Sequence, residues 1–261
     1  MIPINDGFVK LVDTMPRENL DEAIVQAARV SYAEGTTASR GTRGLVRYLL
    51  RHCHTTPFEM IEFKFHIKMP IFIARQHMRH RTASINEMSA RYSVIPDEYF
   101  VPDKFRKQSD INKQSSDGDA GIEVAPVKAQ CNDAFELYKE LLDDGACREL
   151  ARCHLPQSTY TEFYWKINLH NLLHYLRLRM EKGAQKEIRD YANAIYELVK
   201  PLVPITMQAF EDFRINAVTL TGQDIEAIKR LGLFKLPEGD KVLESPGENR
   251  EFMEKIKNLI V

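Results

Sequence analysis

The chain has 261 residues, of which 44% are hydrophobic, and a formal net charge of -1 at pH 7. This length and apolar fraction allow one domain of the larger sort with a sizeable core. The near-zero charge argues against a general nucleic-acid or membrane-surface binder, which would show a basic excess. No apolar run of about 18 residues is present, so no membrane span is expected. The start, Met1 to Asp6, lacks the basic and then apolar layout of a secretory leader. Cys53, Cys131, Cys147 and Cys153 stand at no disulfide-framework or zinc-ribbon spacing, which predicts free thiols and a cytoplasmic setting.

From Glu18 to Tyr32 the apolar residues Leu20, Ile24, Ala27, Ala28 and Val30 fall mostly at helical spacing. A second helix is predicted over Arg43 to His52, with Leu45, Val46, Leu49 and Leu50 on one face. Between Phe58 and Met69 the period changes. Ile61, Phe63, Phe65, Ile67 and Met69 alternate with Glu62, Lys64, His66 and Lys68, as in a strand with one buried face. Pro70 ends it and suits the first turn of a helix reaching about Arg79. The polar stretch that follows is therefore expected at a helix C-terminus and in the loop beyond.

Lys104 to Ala125 is rich in Ser, Asp, Gln and Gly and reads as a long mobile loop. A helix from about Pro126 to Leu142, a short one within Ala146 to His154 and a strand over Thr159 to Asn168 are expected next. Helices then dominate from Leu169 to Phe213, interrupted near Pro201 and Pro204. Pro237 to Arg250 is loop-like, and Glu251 to Ile260 suits a terminal helix. Few strands among many helices predict an α+β fold, an antiparallel sheet core flanked by several helices in a single domain. That domain is placed at residues 1–220, with the polar insertion at 104–125 and an extension at 221–261.

The segment from Arg79 to Tyr92 concentrates chemistry: Arg79, His80, Arg81, Ser84, Asn86, Glu87, Ser89 and Arg91 stand within fourteen residues. A core segment would not carry so many polar groups, each costing about 1–3 kcal/mol when buried unpaired. Arginine presents a planar fork of donors that matches phosphate and carboxylate oxygens in pairs. The segment thus reads as an anion-binding site with further donors and acceptors for a polar ring. Arg75 and Arg79 share a helix face, as do Gln76 and His80, although a solvated helix end would also favour such cations. His52, Cys53 and His54 lie on one short segment and do not make a tetrahedral metal set, so no metal is expected.

The pattern R-H-R-x-x-S-x-N-E-x-S-x-R-Y, met here at every fixed position, resembles the signature of the flavin-dependent thymidylate synthases. The likeness extends from about Arg29 to Phe213, through His54-Thr55-Thr56-Pro57-Phe58-Glu59, Leu155-Pro156, Tyr164-Trp165, Asn168 and Leu178-Arg179. It implies an enzyme that methylates dUMP to dTMP with methylenetetrahydrofolate as carbon donor and FAD, reduced by NADPH, as hydride source. It also implies a homotetramer with active sites shared between subunits, and partners that include neither nucleic acid nor membrane.

By the same resemblance, Thr56, Glu59, Arg79, His80, Arg81, Glu87, Asn168, His170 and His174 are expected at the cofactor. Gln76, Arg79, Glu87, Met88, Ser89, Ala90, Arg91, Arg152 and Arg179 are expected at the dUMP substrate. Arg179 is the expected catalytic residue, stabilising negative charge on the uracil ring in place of a cysteine nucleophile. Ser84 is expected to be structural. His170 and His174 stand where some relatives carry Arg and Asn, a departure from the pattern. Two rival classes remain at this point: a nucleic-acid module using the arginine-rich loop, opposed by the charge balance, and a noncatalytic relative, opposed by the intact signature.

Overall fold

The computed structural model describes residues 1–31, 41–110, 113, 115–232 and 242–260. Tyr32, residues 111, 112 and 114 of the polar insertion, and residues 237–241 of the expected late loop lie outside the described residues. The chain divides into two compact units, Met1–Ile215 and Asn216–Val261.

The larger unit is an α+β fold around an antiparallel sheet. In chain order it contains β1 (Ile2–Ile4), β2 (Gly7–Met15), α1 (Leu20–Arg29), α2 (Thr42–Arg51), α3 (Thr56–Glu59), β3 (Glu62–Pro70), α4 (Ile71–His77) and β4 (Ser84–Glu87). It continues with β5 (Lys107–Gln108), β6 (Ser116–Asp117), α5 (Ala125–Asp143), α6 (Arg148–Ala151), β7 (Tyr160–Asn168), α7 (Leu169–Arg179), α8 (Lys186–Val199) and α9 (Pro204–Phe210). The smaller unit holds α10 (Gly222–Arg230), opened by a Thr221/Asp224 capping box, and α11 (Pro246–Ile260).

The main sheet has the order β1-β2-β3-β7-β4, and β5 pairs with β6 separately. Its centre follows from the alternation in β3. Phe63, Phe65 and Ile67 lie opposite Ile167, Trp165 and Phe163 of β7, and all six are buried. Such side chains contribute about 1.5–3 kcal/mol each when removed from water. The alternate residues face the other way, where the His66 and Tyr164 rings stack at 4.8 Å and Lys68 lies opposite Glu162. Tyr164 is what blurs the alternation of β7: an aromatic residue there occupies the open face, 47% exposed. Helices α1, α2, α7, α8 and α9 supply the apolar partners of the buried face, among them Ile24, Val46, Leu172, Ile195 and Met207.

Several expectations are corrected. Two N-terminal strands exist that the sequence reading did not find, because β2 shifts register between Leu11 and Asp13 and its alternation is broken there. The strand expected from Phe58 starts at Glu62, since Pro57 favours the helical turn of α3. Helix α4 ends at His77, and the polar segment beyond is not all loop, because Ser84–Glu87 pairs with Lys166–Phe163 as an edge strand. The 104–125 insertion carries the β5–β6 pair rather than loop alone. The terminal helix starts at Pro246, inside the stretch expected to be loop.

Candidate active site

The sheet brings two groups of the expected residues into place. The first forms where α4, α7 and the segment before α8 meet. Gln76 comes from the last turn of α4 and His80 from just beyond it, and Asn168 caps the N-terminus of α7 by accepting from the Asn171 backbone N–H at 2.9 Å. Helix α7 then carries His170 in its first turn, at the end away from Gln76, His174 midway and Arg179 at its last residue. Arg179 donates from Nη2 to the Gln76 backbone carbonyl at 3.1 Å, and its Nε is buried without a hydrogen-bond partner. Gln76 donates from Nε2 to Gln185 Oε1.

Beneath this group lies an aromatic floor. His77 is fully buried, shares a hydrogen bond with the Tyr175 hydroxyl at 2.9 Å and packs against Trp165 at 4.3 Å between ring centroids. Burial, reinforced by His80 and Arg179, pushes its pKa down to about 3. His80 sits edge-on to Tyr175 at 4.9 Å and 5.7 Å from the ring of His174. Burial first, then the charges of Arg179 and His174, lowers its pKa to about 4, so it is a neutral imidazole at pH 7. A neutral ring beside the Arg179 cation offers one donor and one acceptor without competing for anions.

His170 and His174 also line a cavity of about 260 Å³ together with His54, Thr55, Arg177 and Arg214. Leu49, Phe58, Leu173 and Phe210 form its apolar wall. Arg214 reaches it from beyond α9, donating to Leu50 O at 2.7 Å and to Cys53 Sγ at 3.2 Å. A wider, adjoining depression of about 970 Å³ takes in Thr56, Pro57, Ala28 and Ser31 and shares His54 and Thr55 with the first. Glu59, on α3 beside these cavities in sequence, is half-buried and accepts from Thr55 Oγ1 at 3.3 Å.

The second group is built by β4 and the turn after it, against α5 and α6. Glu87 Oε1 accepts from Thr161 Oγ1 of β7 at 2.6 Å. Met88 and Ala90 pack on a small core of Ile95, Phe135, Tyr138 and Ala151. The Ser89 carbonyl accepts from the Tyr92 N–H at 3.0 Å, which closes the turn and turns Arg91 towards α6. Arg91 lies 3.6 Å from Glu149 and lines a groove of about 480 Å³ with Tyr92 and Arg148. Arg152 follows α6 in a short 3₁₀ turn and is partly buried. Arg79 and Arg81 precede β4 in the chain, Ser84 opens it, and all three are exposed.

The sequence reading missed His77, Tyr175, Gln185, Arg177 and Arg214. Only His77 carried a local signal, its position one residue after Gln76 at the end of a helix. The others reach the site through tertiary packing.

Comparison with known proteins decides the family. Residues 10–205 match the family Thy1, described as thymidylate synthase complementing protein. A flavin-dependent thymidylate synthase of Dictyostelium discoideum is 52% identical over 238 residues, covering 85% of this chain and 77% of that one. Another, from Thermus thermophilus, is 49% identical over 249 residues, covering 94% and 90%. This chain belongs to the flavin-dependent thymidylate synthases. In three dimensions it resembles a UMP/dUMP methylase, PolB from Streptomyces cacaoi, bound with 5-Br UMP. That likeness has a TM-score of 0.72 at 37% identity and covers 81% of this chain and 96% of the other.

A flavin-dependent thymidylate synthase needs room for a large, planar, anionic cofactor, and the residues present fit one. The two adjoining cavities join an apolar wall to guanidinium and imidazole donors, a donor set suited to a ring system with phosphates. Among the described residues no helix is long and apolar enough to cross a membrane, and no group of three or more His, Cys, Asp or Glu is placed to hold a metal ion.

Proposed function

We propose that the chain converts dUMP, methylenetetrahydrofolate, NADPH and a proton into dTMP, tetrahydrofolate and NADP⁺, with FAD as its flavin, in the cytoplasm. When bound, the flavin supplies the two-electron chemistry that turns a one-carbon bridge into a methyl group. His54, Thr56, Glu59, Asn168, His170 and His174 hold it from one chain, with Arg79, His80, Arg81 and Glu87 contributing from the signature. The catalytic unit is residues 1–220, and 221–261 is an extension to it.

The observation that carries this reading is the junction of Arg179 with Gln76. Arg179 is anchored by one nitrogen to the α4 backbone while a second, buried N–H has no partner. A guanidinium so fixed is preorganised to receive negative charge as it develops on a uracil ring, without rearrangement. Gln76 lies at the same point to contact the nucleotide. The reading uses no cysteine nucleophile: Cys131 is buried near Ser158, Cys53, Cys147 and Cys153 are exposed, and none of the four belongs to the group of Gln76, His80 and Arg179.

The signature's other half, Glu87, Met88, Ser89, Ala90 and Arg91, sits on the second core with Arg152 nearby in the chain. This separation supports a homotetramer in which one chain offers Gln76 and Arg179 and another offers Ser89 and Arg91 to the same dUMP. The test is anaerobic addition of NADPH to purified protein with dUMP present, followed by methylenetetrahydrofolate. Bleaching of an oxidised-flavin spectrum and formation of dTMP are expected. A protein that takes up no FAD, or that reduces it without making dTMP, would overturn the proposal.

A further inference from the structure

The Arg106 guanidinium, from the 104–125 insertion, donates from Nη2 to both oxygens of Glu187 at 2.7 and 3.0 Å. Its Nε also donates to Ser116 Oγ at 2.7 Å, which ties Arg106 to β6. Glu187, in the first turn of α8, is buried, and its Oε2 accepts a second bond from Gln185 Nε2 at 2.9 Å. Gln185 in turn accepts at Oε1 from Gln76 Nε2. Four side chains from three separate segments of the chain thus form one line of hydrogen bonds that ends at Gln76 on α4.

The direction of that line is fixed by its charged end. Burial would push the Glu187 carboxyl up, but the bonds from Arg106 and Gln185 outweigh it and hold the carboxyl below its usual range. An ionised carboxylate only accepts, so Gln185 must turn its NH₂ towards Glu187 and its oxygen towards Gln76. Gln76 must then turn its NH₂ towards Gln185, which leaves Oε1 and one remaining N–H to meet a ligand. Reversing either amide would place NH₂ against NH₂ or oxygen against oxygen.

We propose that Glu187, clamped by Arg106 from the insertion, is a positioning residue that sets the orientation of the Gln76 carboxamide towards dUMP through Gln185. The inference rests on the reading above that Gln76 contacts the nucleotide. It assigns the insertion a task in substrate binding, carried by Arg106. Neutral Glu187→Gln cannot accept from Arg106 and Gln185 with both terminal atoms. If its single oxygen goes to the guanidinium, its NH₂ faces Gln185, and the two amides along the line reverse.

The test is a double-mutant cycle on the flavin-loaded enzyme, reading the dUMP dissociation constant and the split between KM and kcat. Gln76→Ala is expected to weaken dUMP by about tenfold, the loss of one well-placed hydrogen bond. Glu187→Gln is expected to weaken dUMP to a similar extent in the native background, with a larger change in KM than in kcat, and to add nothing in the Gln76→Ala background. Arg106→Lys, which keeps a charge and a donor, is expected to retain more dUMP affinity than Arg106→Met. Melting temperature and flavin absorbance identify folded protein, and the Arg106 pair gives the same cycle if Glu187→Gln does not fold. An unchanged dUMP affinity in Gln76→Ala would sink the assignment of Gln76 and the inference with it. Weakening by Gln76→Ala but not by Glu187→Gln, or equal losses from Glu187→Gln in both backgrounds, would overturn the inference alone.

Discussion

Arg179 and Gln76 lie 103 residues apart in sequence, yet the guanidinium of one is hydrogen-bonded to the backbone carbonyl of the other at 3.1 Å. The bond joins the last turn of α7 to the last turn of α4, where the negative end of α4 and a cation meet favourably. Arg179→Ala is expected to lower kcat for dTMP formation by about 10²–10³, the range seen when a preorganised charge stabiliser is removed. Arg179→Lys should recover little, since an ammonium cannot occupy the anchoring and the ligand-facing directions of the planar fork together. Steady-state dTMP formation at saturating dUMP checks this; full turnover in the alanine variant would exclude the assigned role.

The division of the signature between two cores gives a complementation experiment. Arg91→Ala and Arg179→Ala proteins should each be nearly inactive. If sites are shared across subunits, mixing them under conditions that exchange subunits should restore a fraction of native turnover, because some sites then receive both native arginines. Mixed samples as inactive as their parents, with subunit exchange verified by mass, would mean that one chain supplies both groups.

The buried histidine predicts a pH dependence of stability. His77 is held neutral in the fold, with its pKa pushed from 6.5 to about 3, while the unfolded chain titrates near the higher value. Between those values the unfolded state binds a proton that the folded state refuses. Stability therefore falls as pH drops below about 6.5, by up to about 1.4 kcal/mol per pH unit for one such group, and is fully present above it. His80 adds a smaller contribution of the same sign. Urea midpoints for native protein and His77→Leu at pH 7 and pH 5 test this: the variant should show the shallower decline. Equal declines would mean that His77 takes up its proton without unfolding.

Gly7, at the start of β2, is predicted to tolerate no side chain. A Cβ there would collide with the Tyr191 hydroxyl and with the backbone carbonyl of Lys68. Those two groups are hydrogen-bonded to each other at 2.9 Å. Gly7→Ala should cost about 1–3 kcal/mol in chemical denaturation, as overpacking does. Adding Tyr191→Phe should recover only part of the loss, because the Lys68 carbonyl cannot leave the sheet.

Much of the frame was legible because apolar alternation survives wherever one sheet face is buried and the other open, as in β3. The Arg79–Tyr92 signature was legible because polarity at that density has no place in a core. What escaped notice had physical reasons. Edge strand β4 is defined by backbone pairing with β7, and its side chains, Ser84, Ile85, Asn86 and Glu87, carry almost no apolar alternation. The bulge in β2 interrupts the period by which a strand is recognised. Arg106 and Glu187 lie 81 residues apart, and nothing local in either segment announces a carboxylate–guanidinium pair. His170 and His174 line the first cavity, yet their place there came only from resemblance; as residues they look like any polar pair on a helix.

Trp165 is the only tryptophan in the chain, and it is wholly buried against His77 and Tyr175. The molecule therefore carries a single intrinsic fluorophore of that kind in the aromatic floor below Arg179 and His80. Its emission overlaps the absorption of oxidised flavin, so loading the cofactor should dim it by energy transfer, and reduction should partly restore it. Cofactor uptake and redox state could then be followed in unlabelled protein through one residue, with no second tryptophan to blur the reading.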